Sequence, residues 1–199
     1  MTHFQNLKFV LQQGIHCPNS GVQNAGFIPI GFSSLVSNRG KQQVKVSPGG
    51  VLNDYVPFYF HYQMPMLHKI FKKQVEDYTG AQEEIIYLVS SVEKVAEQNL
   101  KFVFTDRHAY LSHANHFNDV EDLKKLNFDL ISDDEWMKTY SPENKEFKQA
   151  EFLVHKHFPV SGIAGIVVHN EGIAQIARQY VAQAFLNIQV VVKPEFYFS

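Results

Sequence analysis

The chain has 199 residues, 45% hydrophobic, 14% aromatic and 19% charged, with a formal net charge of −2 at pH 7. A chain this long buries about 70% of its unfolded surface as one domain, and 17 Phe with 9 Tyr argue against disorder. Near-neutral charge excludes a global field that draws the protein onto nucleic acid, although a local basic groove with stacking rings needs none. No run reaches the ~18 apolar residues of a membrane span. The Met1–Asn6 start has no signal-peptide pattern, and Cys17 is the single cysteine. The expectation is a soluble cytoplasmic protein with no membrane partner.

Residues 4–12 predict a short helix, with Leu7, Phe9, Val10 and Leu11 apolar and Gly14 at the C-cap position. Residues 15–57 are irregular in pattern, and a segment that long in a compact domain is usually functional. Pro48-Gly49-Gly50 marks a turn within it. Val56–Phe60 predicts an aromatic strand, and Pro65 opens a helix that runs through Gln74. Ile85–Val89 and Phe102–Phe104 read as strands, with a helix at Val92–Gln98 between them, capped by Ser90 or Ser91. Asn118–Leu126 reads as helical, with Val120, Leu123 and Leu126 on one face. Ser141-Pro142-Glu143 is an N-cap, first helical position and acidic first turn. Phe152–Val154, Ile163–Val168 and Ile188–Val192 are strands, the last two separated by an amphipathic helix from Ile173 to Ala184. Strands and helices do not alternate regularly, so the class is mixed α+β, with short strands around a cleft.

Gly-rich nucleotide loops, a Gly-x-Ser-x-Gly elbow and a His-Glu-x-x-His pair are all missing from the sequence. His108, His113, His116, His155 and His157 are dense, but their spacings match no common zinc pattern, and no metal is expected. They read as surface or hydrogen-bonding imidazoles, with His108 set apart by its place after strand 102–105. Alternation puts Ala150, Phe152 and Val154 on one strand face and Glu151, Leu153 and His155 on the other. Glu151 is then either a solvated edge-strand glutamate or a group poised for chemistry, because burying a lone charge is costly. Arg39, near Lys41 and Lys45, is either a solvated loop cation or a bidentate phosphate clamp. Lys69, Lys72 and Lys73 read as the polar face of their helix. Tyr59 falls on the opposite strand face from Phe58 and Phe60.

In order, Thr2-His3-x-x-Asn6-Leu7, Asp54-Tyr55-Val56-Pro57-Phe58-Tyr59-Phe60, Pro65-Met66-Leu67, Phe104-Thr105-Asp106-x-His108-Ala109, Phe117-Asn118-Asp119 and Gln149-Ala150-Glu151-Phe152-Leu153-Val154 resemble the DarT family. Its members are toxins that ADP-ribosylate bases of single-stranded DNA. The matches run to a Pro194-x-Phe196-Tyr197-Phe198 ending. The resemblance implies one ADP-ribosyltransferase domain over residues 1–199, with two small sheets splayed around an NAD cleft and flanking helices. It implies NAD as substrate and a macrodomain antitoxin that removes the modification. It further implies Glu151 as the catalytic glutamate, Arg39 as a catalytic and NAD-binding arginine, and His3 and Asn6 as NAD contacts. Tyr59 and Met66 would line the nicotinamide pocket, and His108 would lie beside the target base.

The chemistry asks for such a set. Breaking the nicotinamide–ribose bond develops an oxocarbenium-like sugar, which a carboxylate stabilises. A guanidinium holds the pyrophosphate, and a general base, Glu151 or His108, takes the proton of the acceptor nitrogen. An unpaired base reaches a cleft without being flipped from a duplex. The strand is expected across residues 133–148, where Lys138, Lys145 and Lys148 would meet phosphates. Arg107 stands where the family usually has a small residue, the stretch before Glu151 is less arginine-rich than usual, and the chain starts at the Thr-His motif. Thymidine is the first expected target and guanosine the second. An RNA or protein acceptor, or a catalytically silent binding module, are the alternatives; retention of Glu151, Arg39 and His3 argues against the last.

Overall fold

A computed structural model describes residues 1–138 and 141–199. In chain order its elements are β1 (Thr2–His3), α1 (Leu7–Gln13), β2 (Ile15–His16), α2 (Ser33–Arg39), β3 (Tyr55–Tyr59), α3 (Pro65–Phe71), β4 (Ile85–Val89) and α4 (Val92–Glu97). There follow β5 (Phe102–His108), β6 (His116–Phe117), α5 (Phe128–Ile131), α6 (Pro142–Lys148), β7 (Ala150–His155), β8 (His157–Phe158), β9 (Gly165–Val168), α7 (Glu171–Gln183) and β10 (Gln189–Val192). Among the described residues the strands form two four-stranded sheets, β1-β4-β9-β10 and β3-β7-β5-β6, and a β2-β8 ribbon. Among the described residues only β9 and β10 pair in parallel, with α7 as their crossover. The architecture is the expected α+β class with two small sheets.

Local chemistry sets several boundaries. Gly14 ends α1 at φ 76°, a left-handed backbone that favours glycine. Pro65 occupies the first turn of α3, where its missing N–H costs nothing. Ser91 and Ser141 cap α4 and α6 by accepting from the backbone N–H of Lys94 and Asn144. The helix from Pro65 stops at Phe71 rather than Gln74, because Lys73 turns to φ 54°. Residues Val120–Lys125 form 3-10 turns with no buried side chain, so no packing holds a full α-helix there.

Each sheet has two packed faces. Ile86, Ile166 and Val168 meet Leu7 and Leu11 of α1 and Ala174, Ala177 and Val181 of α7. The opposite face, Ile85, Tyr87 and Val167, meets Leu67 and Ile70 of α3. In the second sheet Val56, Phe104, Phe152 and Val154 pack with Val10, Val95 and Ile163. Stacked rings, Phe102 on Phe152 at 5.0 Å and Phe104 on Phe117 at 5.3 Å, add about 0.5–1.5 kcal/mol per pair. Its other face, Tyr55, Val103 and Leu153, is covered by Val44 and Leu52 from the irregular segment. That segment therefore closes the sheet face on which Glu151 lies.

Candidate active site

Glu151 sits on β7, an interior strand flanked by β3 and β5, so the edge-strand alternative does not hold. It is 1% exposed. A buried carboxylate needs partners, and it has several. Arg39 Nη1 donates to Oε1 at 3.0 Å and Nη2 to Oε2 at 2.9 Å, a bidentate pair. The Ala109 N–H donates to Oε1 at 3.2 Å, and His108 Nε2 lies 3.7 Å from the same oxygen. Burial pushes the Glu151 carboxyl up, but the Arg39 guanidinium outweighs it and holds the group below the ordinary carboxylate value. Burial pushes His108 down more strongly than Glu151 pulls it up, which leaves the imidazole neutral at pH 7.

Arg39 reaches Glu151 because α2, which sequence reading left inside an irregular segment, ends at that residue. Ser33-Ser34-Leu35-Val36-Ser37-Asn38-Arg39 buries no apolar side chain and has no apolar stripe. Its position comes from outside contacts. Asp77 Oδ2 accepts from the Ser33 N–H at 2.8 Å, and Asn53 Nδ2 donates to the Val36 carbonyl at 3.0 Å. Asp54 next door accepts from the Lys156 ammonium at 2.7 Å and the Val51 N–H at 2.9 Å, which with Asn19 holds its carboxyl near 2.

Tyr59 pairs in register with Glu151 and shares its sheet face, opposite Phe58 and Phe60 as alternation predicted. Burial and the nearby carboxylate keep its phenol protonated. Asn6 and Met66 meet residues 28–32, the segment that runs into α2, while His3 packs against Phe4 and Tyr78. Asn6 donates to the Ile28 carbonyl at 2.8 Å, accepts from the Ile28 N–H at 2.8 Å and donates to Thr2 Oγ1 at 3.0 Å. Its amide is thus committed to holding this loop. The Met66 side chain packs beside Gly31. His3 Nδ1 accepts from the Gln5 N–H at 3.3 Å, so the neutral ring carries its proton on Nε2, 3.9 Å from Glu84. Burial pushes its pKa down despite Glu84.

Lys148 corrects an expectation. It is fully buried, its Nζ bonded to His61 Nδ1 at 3.0 Å and to the Asp133 carbonyl at 2.8 Å, so it does not face a phosphate. Burial pushes its ammonium down to about 8. Lys138 is exposed and paired with Glu135 at 2.6 Å, and Lys145 is half-buried on α6. Thr139 and Tyr140, within the expected DNA-facing stretch, lie outside the described residues. Of the histidines, His113 bonds Glu146 at 2.9 Å, His116 accepts from the Lys45 N–H at 3.0 Å, and His157 bonds the Gln13 carbonyl at 2.8 Å. Among the described residues no cluster of His, Cys, Asp and Glu is placed to hold a metal.

Sequence reading missed two contributors. Thr105 Oγ1 accepts from the Glu151 N–H at 3.2 Å and donates to the Arg107 carbonyl at 2.7 Å. The Ala109 backbone N–H leaves no trace in its side chain. A cavity of about 320 Å³ is lined by Phe58, Tyr59, Phe60 and Phe152 of one sheet and by Tyr87 and Leu88 of the other, without Glu151 or Arg39 in its wall.

Comparison with known proteins places this geometry. The family model described as "ssDNA thymidine ADP-ribosyltransferase, DarT" matches residues 1–198. A DNA ADP-ribosyl transferase of Thermus sp. (strain 2.9) is 41% identical over 186 residues, 92% of this chain and 86% of that protein. The solved structure of Thermus sp. 2.9 DarT with ADP-ribosylated ssDNA superposes at a TM-score of 0.93 and 37% identity, covering 99% of this chain and 93% of that one. Its complex with NAD+ superposes at 0.88 and 37% identity, over 99% and 94%. With a buried glutamate locked to an arginine beside a neutral histidine, and likeness of this extent, the chain belongs to the DarT family of DNA ADP-ribosyltransferases.

Proposed function

We propose that this protein, acting as one transferase domain, moves ADP-ribose from NAD to a thymine base of single-stranded DNA and releases nicotinamide. The observation that carries the reading is the buried Arg39–Glu151 pair with His108 against the same carboxylate. NAD enters between the 28–39 segment and Tyr59, with Asn6 and Met66 against that loop and His3 as a further contact. Its pyrophosphate draws the Arg39 guanidinium, for which a bidentate anion partner is the natural ligand. Arg39 is what offsets the burial of Glu151, so its departure raises the carboxylate's basicity at the moment the substrate is in place.

The C1′–nitrogen bond to nicotinamide then breaks, its electron pair leaving with the ring. Glu151 stabilises the positive sugar as it forms. Thymine in a strand has one ring N–H. That nitrogen bonds to C1′, and its proton passes to Glu151, with neutral His108 at 3.7 Å to carry it onward. Lys138 and Lys145 are the cations we assign to the strand, and bases stacked on aromatic side chains supply the rest of the affinity. A macrodomain partner that removes the adduct completes the reading, and a DNA substrate puts the protein in the cytoplasm. Among the described residues no helix is long and apolar enough to cross a membrane.

The test is mass spectrometry of short single-stranded oligonucleotides incubated with NAD and protein, beside Glu151→Ala. One ADP-ribose gained on thymine-containing oligonucleotides, and lost in the variant, supports the proposal. An adduct confined to guanine-containing DNA, RNA or protein overturns the assigned acceptor.

A further inference from the structure

We infer that Thr105 is a positioning residue for this reaction: its hydroxyl bonds the Glu151 backbone across a bulge in β5 and so holds the 107–109 turn against Glu151. The inference rests on the roles proposed above for Glu151 and His108.

The β5–β7 ladder pairs Phe104 with Phe152 and then His108 with Ala150, so β5 carries two more residues than β7 across this interval. The irregularity falls opposite Glu151. A bulge disrupts the ladder and re-aims the chain, which is how His108 and the Ala109 N–H come to face the carboxylate. The Glu151 N–H, in the interior of the sheet, faces this irregular stretch of β5. An orphaned buried N–H is costly. Thr105 Oγ1 accepts from that N–H at 3.2 Å.

The same oxygen donates to the Arg107 carbonyl at 2.7 Å, closing a local turn inside the bulge. One buried hydroxyl therefore ties the backbone of the catalytic glutamate to the backbone of the turn that delivers its other partners. Thr105 is wholly buried, and its backbone pairs with His116 on the opposite edge of β5. Its side chain touches neither the Glu151 carboxylate nor the imidazole of His108 through any hydrogen bond. It acts on them only through the backbone.

The experiment compares Thr105→Val, which keeps shape and removes both hydrogen bonds, with Thr105→Ser, which keeps the hydroxyl. Two readouts are taken, single-turnover oligonucleotide modification with NAD affinity alongside, and amide hydrogen exchange at Glu151 and Ala109. T105V is expected to slow modification on the order of 10²-fold with NAD affinity within about threefold of the native protein. T105S should remain within about threefold in rate. Exchange at both amides should accelerate in T105V and not in T105S. If T105V does not fold, Thr105→Cys, with its weaker bonds, takes its place.

A T105V rate equal to the native one, a T105S as slow as T105V, or unchanged exchange at both amides overturns the inference. Failure of the native protein to modify any DNA overturns the proposed function instead, and the amide readout then decides the role of Thr105 by itself.

Discussion

Replacing Arg39 by Gln removes the cation that offsets the burial of Glu151. In the native protein Glu151 is 1% exposed and accepts two charge-assisted bonds from Arg39, at 3.0 and 2.9 Å. Removing one partner of a buried pair costs about 3–5 kcal/mol, because the charge left behind has no compensation. The cost depends on pH with a definite sign. With Arg39 present the folded carboxyl lies below its unfolded value of 4.5, so the pair stabilises the fold above that pH and is lost as pH falls through the lower folded value. Without Arg39, burial dominates and the folded value rises above the unfolded one. The variant then loses stability as pH climbs past about 4.5, at up to about 1.4 kcal/mol per unit. The gap between the two proteins is therefore smallest in mild acid and widens toward neutral pH.

Urea denaturation of the native protein, R39Q, Glu151→Gln and the double variant at pH 5, 6, 7 and 8 reads this directly. The gap should widen with pH for R39Q and vanish as a pH effect in the double variant, where no carboxyl remains to be stranded. A gap that stays constant over the range, or narrows as pH rises, refutes the reasoning.

Two further outcomes follow from buried polar groups. Lys148 is pushed from 10.5 down to about 8 by burial, so between pH 8 and 10 the unfolded chain keeps a proton the folded one has released, and stability rises with pH by at most about 2–3 kcal/mol. Above pH 10 the buried tyrosines, held protonated in the fold, reverse that trend. Lys148→Met should abolish the rise in a denaturation series, and an identical slope in both proteins contradicts the assignment. Asn6→Ala removes the hydrogen bonds to Thr2 and Ile28 and should cost about 1–3 kcal/mol. It should also raise the KM for NAD more than it lowers kcat; unchanged KM and stability would show the 28–32 loop held by other contacts.

Much of the scaffold was legible in the chain. Ser91, Ser141 and Pro65 mark helix starts by satisfying or dispensing with an orphan N–H, an effect within one turn of backbone. The apolar period of α7 and the β-branched runs of β4 and β9 are likewise local. Alternation put Tyr59 opposite Phe58 and Phe60, and Glu151 with Leu153 and His155, and the sheet has them so. Helix α2 was not legible, since a helix of Ser and Asn with no buried face carries no periodic signal. Lys148 read as a cation for DNA phosphates because nothing near it in sequence announces the enclosure formed by His61 and Asp133.

Taken alone, residue order determined elements such as β3, β4, α1 and α7, several helix caps and which faces are apolar, because those depend on a few neighbouring side chains. Whether Glu151 was a solvated edge carboxylate or a buried and partnered one, and whether Arg39 was a solvated loop cation, depended on contacts between residues 112 positions apart. Tertiary structure decided both: β7 was placed inside the sheet, β5 bulged beside it, and the 15–57 segment folded over that face until α2 ended above the carboxylate. A buried charge takes its chemistry from what surrounds it, and only the folded chain defines those surroundings.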